Sequence, residues 1–80
     1  MRGRGVGHYR AMRWPELDRI LRRLGYETVR QSGSHRTLKC EGRPTLHLGF
    51  HDSQELSGGL VRKILVNDVG LSDDEARWLV

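Results

Sequence analysis

The chain has 80 residues, 36% of them apolar and 30% charged, with a net charge of +4. That makes one domain, able to bury only about 60% of the surface its unfolded form exposes, so a surface site is expected rather than a deep cavity. The composition excludes a disordered chain, the short apolar runs exclude a bilayer span, and a lone cysteine, Cys40, excludes an internal disulfide, which together point to the cytoplasm.

Residues 1–11 hold three glycines, three arginines and no apolar periodicity or leader-like apolar stretch. They are expected to form a flexible basic extension, with the folded domain over residues 12–80. Pro15 suits the first turn of a helix, and Glu16 and Asp18 favour its N-terminus. Leu17, Ile20, Leu21 and Leu24 follow at i, i+3, i+4, i+7, and Gly25 is a natural residue just past the helix end. Residues 26–31 are rich in β-formers, and Ser32-Gly33-Ser34 supplies a turn into a second strand over 35–40. Glu41-Gly42-Arg43-Pro44 turns the chain again. In the third strand, 45–50, Leu46, Leu48 and Phe50 alternate with His47 and Gly49. Gly58-Gly59 precedes a helix over 60–69 with Leu60, Ile64 and Leu65 on one face, closed by Gly70. Ser72-Asp73-Asp74-Glu75 is a capping box opening a short last helix with Ala76, Trp78 and Leu79. The order α-β-β-β-α(-α) predicts an α+β fold similar to double-stranded-RNA-binding domains, in which helices cover one face of a three-stranded antiparallel sheet.

Strand parity then sorts the side chains. With Leu38 facing the helices, Arg36 lies on that side near the edge, while His35, Thr37 and Lys39 face out, joined by His47, Gly49 and His51 from the third strand. A register pairing Leu38 with Leu48 sets His35 opposite His51; a slip of two residues keeps all of them on the open face but separates the pairs. Residues 1–43 carry eleven Lys/Arg against four Asp/Glu, whereas residues 44–80 carry three against six. The Gly33-Ser34-His35 turn lies in the basic half, a field that favours a polyanion.

His35 is the strongest candidate for chemistry. Histidine is suited to take a proton from a ribose 2′-hydroxyl, and Gly33 and Ser34 let backbone approach a phosphate. Arg30, Arg36 and Lys39 are candidates to neutralise phosphates. His51 is either a proton donor to a leaving group or a capping residue of the following turn. His47 and His51 lie about 13 Å apart along a strand, too far to share one ion, so neither a metal nor another cofactor is expected. Trp14 and Tyr26 read as core rather than base-stacking residues, and Trp78 as core or partner surface.

Gly25-Tyr26, Arg30-Gln31-Ser32-Gly33-Ser34-His35, and Gly59-Leu60-Val61-Arg62-Lys63-Ile64-Leu65 with Gly70-Leu71-Ser72 resemble the HicA family of small bacterial toxins. The resemblance covers about three quarters of the chain. It implies a ribosome-independent endoribonuclease acting on messenger RNA, with the Gly-Ser-His histidine, here His35, as the residue required for cleavage. It implies a HicB-like antitoxin as partner and no membrane. A second histidine usually follows the third strand, often beside proline; Gly49-Phe50-His51-Asp52 departs from that pattern. The expected reaction has His35 as general base, forming a 2′,3′-cyclic phosphate without metal. The alternative, a non-catalytic module of double-stranded-RNA-binding type, would have a lysine-rich start to its last helix, where this chain offers only Arg62 and Lys63.

Overall fold

The computed structural model describes residues 9–80. Helix α1, Trp14–Arg23, carries Pro15 in its first turn and buries Trp14, Leu17, Ile20 and Leu21. Its end follows from Gly25, whose φ of 105° no L side chain adopts readily. The Gly25 N–H donates to the Arg22 carbonyl (3.0 Å) and the Tyr26 N–H to the Leu21 carbonyl (3.0 Å). Those two bonds satisfy carbonyls the helix would leave orphaned, and Tyr26 and Leu21 are both buried beside them.

Strands β2 (Glu27–Ser32), β3 (His35–Lys39) and β4 (Leu46–Gly49) form the expected antiparallel sheet in the order β2-β3-β4. Gly33, at φ 61°, makes the turn between β2 and β3. Leu38, Leu46 and Leu48 point from the sheet into one core with the α1 leucines and with Val61, Ile64 and Leu65. The other face is open, as period-2 alternation predicted.

The next helix begins two residues earlier than expected and changes form. Helix α2, Gly58–Arg62, is capped by the Ser57 hydroxyl accepting from the Leu60 N–H (3.2 Å), and the chain continues as a π-helix over Lys63–Asp68. The wider turn brings Ile64 and Val69, five apart, to the same core, joined by the Val69 N–H to the Ile64 carbonyl (2.9 Å). The buried face is therefore Val61, Ile64, Leu65 and Val69, while Leu60 is only half-buried. Helix α3, Asp73–Leu79, has its expected capping box: Ser72 Oγ accepts from the Glu75 N–H and the Glu75 carboxylate accepts from the Ser72 N–H, both at 3.1 Å. Those bonds hold the Glu75 carboxyl below the usual carboxylate range. Ala76 takes the inward position, so Trp78, two residues on, points away and is 89% exposed. The core reading of Trp78 is thereby overturned.

The domain boundary also moves. Of the extension expected over residues 1–11, residues 1–8 lie outside the described residues, but Tyr9 is buried. Strand β1 (Met12–Arg13) pairs antiparallel with β5 (Glu55–Leu56), Met12 opposite Leu56, in a ribbon too short to leave any periodicity in the sequence. The Arg10 guanidinium meets the Glu16 carboxylate at 2.7 Å and, with the Arg13 N–H, holds that carboxyl below the ordinary range. Tyr9 Oη donates to Asp73 Oδ1 (2.7 Å), joining residues 64 positions apart.

Burial and the bond to Asp73 push the Tyr9 hydroxyl from 10.0 up to about 12. The folded chain therefore keeps a proton that the unfolded chain releases between these values. The resulting stability is complete below pH 10 and is lost as pH rises through 12. Tyr9→Phe should melt lower than the parent at pH 9, by the order of 1–2 kcal/mol for a bond to a charged acceptor. The gap should narrow towards pH 12; thermal melts of both proteins across that range check the sign, and a constant gap would contradict it.

Candidate nucleic-acid interface

The register of β3 against β4 is His35 opposite Gly49, Arg36 opposite Leu48, Thr37 opposite His47 and Leu38 opposite Leu46. Of the two registers that alternation allows, the one slipped by two residues from Leu38–Leu48 is formed, and His35 does not face His51. The intervening loop sets this. Its Arg43 N–H donates to the Cys40 carbonyl (3.1 Å), Gly42 adopts φ 81°, and Tyr26 Oη donates to the Pro44 carbonyl (2.7 Å), which fixes a tight return. Because the slip is even, every side chain keeps its face. His35, Lys39, His47 and Gly49 are exposed on the open side.

His35 stands at the end of that face, next to the Gly33 turn and opposite Ser32 of β2. Its ring lies against Gly49: a Cβ there would come within 3.0 Å of Nδ1 and 3.1 Å of Cε1. Gly49 is thus the residue that seats the His35 ring, one that sequence reasoning placed on the open face without giving it a role. A glycine inside a strand at outward parity was the available sign.

Arg30 reaches the same face through a bulge. The pairs Glu27 with Lys39 and Thr28 with Leu38 are followed by Arg30 with Thr37, so Val29 is the extra residue. In an unbroken ladder Arg30 would oppose Arg36 and share the helix side. The bulge turns it onto the open face beside Thr37 and His47, at the cost of leaving Val29 55% exposed. Thr37 Oγ1 and His47 Nδ1 lie 3.4 Å apart. Lys39 opposes Glu27 at the far end of the face, about 13 Å of strand from His35.

Arg36 faces the other way. Its guanidinium carbon sits 5.2 Å from the centroid of the Trp14 ring, Nη1 donates to the Phe50 carbonyl (3.1 Å), and Nη2 lies 3.6 Å from Asp52 Oδ1. Its guanidinium is therefore held within the fold by one hydrogen bond, one ion pair and the Trp14 ring. His51 lies beyond the end of β4, where its carbonyl accepts from the Gln54 N–H (3.0 Å), the turn position that sequence reading held open. With Gly33, Ser34, Arg36, Phe50, Asp52 and Ser53 it lines a cleft at the end of the sheet. The structure so brings His35 together with Gly49, Ser32 and the Gly33 turn, and sets His51 around the corner from it. Among the described residues, no three His, Cys, Asp or Glu side chains gather closely enough to hold a metal ion.

An exposed imidazole at a strand end, beside a glycine turn and an outward arginine, can exchange a proton with a polyanion lying across the open face. The family model for the HicA toxin of bacterial toxin-antitoxin systems matches residues 14–71. No curated protein and no solved structure matches the chain. Among the described residues no helix is long and apolar enough to cross a membrane.

Proposed function

This chain belongs to the HicA family of bacterial toxins, and on that premise we propose that it is an endoribonuclease that cleaves messenger RNA laid across the open face of the sheet, with His35 as general base. As a toxin of a toxin-antitoxin system it has an antitoxin partner. The observation that carries the reading is the seating of the His35 ring on Gly49, which leaves the imidazole exposed beside the Gly33 turn.

In the proposed reaction His35 removes the proton of a ribose 2′-hydroxyl as that oxygen attacks the adjacent phosphorus. The bond to the 5′-oxygen of the next nucleotide breaks, that oxygen takes up a proton, and the products are a 2′,3′-cyclic phosphate and a free 5′-hydroxyl. No metal is needed for this sequence of steps. Gly33 and Ser34 backbone lie where the phosphate would approach, and Arg30 offsets its charge. Lys39, at the far end, meets a phosphate further along the strand. His51 is a candidate donor to the leaving oxygen, reached from the cleft rather than from the face. Neutralisation falls to a HicB-like protein that presents carboxylates to the same cationic face.

Purified protein should cleave purified messenger RNA with EDTA present and leave cyclic phosphate ends. Lys39→Ala and Arg30→Ala should each bind RNA with a salt dependence shallower by about one unit of log–log slope, since each removes one phosphate contact. Affinity titrated against salt measures this, and unchanged slopes at both positions would move the RNA to another surface.

A further inference from the structure

We propose that the cleft at the end of the sheet is a binding subsite for the nucleotide flanking the cleaved bond, and that the Asp52 carboxylate at its rim selects the base. This rests on the ribonuclease reading and adds to it a site for one nucleotide and the residue that discriminates among bases.

Position comes first. Ser34 lines the cleft and immediately precedes His35, so a nucleotide held there is one residue from the attacking base. The cleft is also built rather than loose. The Phe50 N–H donates to the Ser34 carbonyl (3.1 Å), the Phe50 carbonyl accepts from Arg36 (3.1 Å), and the Ser53 carbonyl accepts from Arg13 Nη1 (2.8 Å). Within the loop the Gln54 N–H donates to the His51 carbonyl (3.0 Å). Arg36 is itself fixed over Trp14, and only 16% of its side chain is exposed. Strands β1 and β3 thus hold the short loop that joins β4 to β5. A wall ordered in advance costs a ligand little entropy on binding.

The chemistry of the rim then gives the selection. Asp52 is 75% exposed and Arg36 comes no closer than 3.6 Å, so the carboxylate keeps oxygens free to accept. An ionised carboxylate only accepts hydrogen bonds. On the edge that a single-stranded base presents, adenine and cytosine each offer an exocyclic amino group and guanine an amino group beside N1–H, whereas uracil offers a single N3–H between two carbonyls. Facing Asp52, uracil can donate that one hydrogen bond only by bringing its carbonyl oxygens towards the carboxylate, and is disfavoured.

The test maps the ends that the full-length protein leaves on a transcript of balanced composition. Parent cuts should be depleted of uracil at one flanking position by about fivefold, the low end of the discrimination one such contact provides. Asp52→Ala should abolish the depletion, and the near-isosteric Asp52→Asn, which offers an amine in place of one oxygen, should also lose it while keeping the size of the parent side chain. Both variants should still cut. Cutting by Asp52→Ala with an unchanged base distribution, or parent cutting with no depletion at all, overturns the subsite and leaves the ribonuclease standing. A parent protein that cuts no RNA overturns the ribonuclease and the subsite with it.

Discussion

Replacing His35 by alanine should remove RNA cleavage and growth arrest while leaving the melting temperature where it was. Loss of a general base costs about 10² to 10⁴ in rate. The side chain is exposed at a strand end, and a substitution of that kind changes stability by no more than about 0.5 kcal/mol. Cleavage and thermal melts on the same preparation separate the two effects, and undiminished cleavage by a folded variant would end the assignment. Gly49→Ala is the sharper companion. It keeps the histidine but places a Cβ 3.0 Å from Nδ1, where the ring must give by a few tenths of an ångström. A side chain can shift cheaply, so stability should hold while the rate falls, since misplacement of a catalytic group is costly even at this scale.

Replacing Gly58 by alanine should bring the hardest clash of any such replacement among the described glycines. A Cβ at this position would lie 1.9 Å from the Tyr9 carbonyl oxygen and 2.8 Å from its carbon, both backbone atoms that cannot rotate aside. Either the segment at Tyr9 lifts or α2 moves. Overpacking of this kind costs about 1–3 kcal/mol, and 1 kcal/mol shifts the melting temperature of a domain this size by about 4–8 °C. A loss of roughly 4–24 °C is therefore expected. Gly59→Ala provides the contrast, because its nearest neighbour is Ser57 Oγ at 4.0 Å, in ordinary contact. There alanine should stabilise, by about 0.4–1 kcal/mol, through the entropy it removes from the unfolded chain. Adjacent glycines in one helix turn should thus answer the same substitution with opposite signs, and equal effects would mean that the Tyr9 backbone does not lie against Gly58.

Much of this architecture is written in the sequence, and the omissions have physical reasons. Helix α1 was legible because four apolar residues at helical spacing end at a glycine, and the capping box of α3 because Ser72 and Glu75 stand three apart. Period-2 alternation placed His35, Lys39 and His47 on the open face whatever the register. The register itself was not legible, because a slip of two residues leaves the alternation intact and only the loop over 40–45 decides between the options. The bulge at Val29 carries no mark in the chain, so nothing there signalled that Arg30 would turn towards the open face. A π-helix likewise has no signature in apolar spacing read at 3.6 residues per turn. His35 was found by the company it keeps in the chain; Gly49 was passed over because its contribution is the absence of a side chain.

The clasp between the two ends bears on how the protein comes into being. Strands β2, β3 and β4 pair only with sequence neighbours, whereas Met12 waits for Leu56 and Tyr9 for Asp73, 64 positions away. Closing a longer loop costs more entropy before any contact repays it, so distant pairings form late. A lone hairpin is only marginal in water, and the leucines on the inner face of this sheet are covered by Val61, Ile64 and Leu65. The histidine-bearing face therefore becomes firm only once Val61, Ile64 and Leu65 cover the leucines on the other side of the sheet, and the pairings of Met12 with Leu56 and of Tyr9 with Asp73 form last, so this face is finished late in folding.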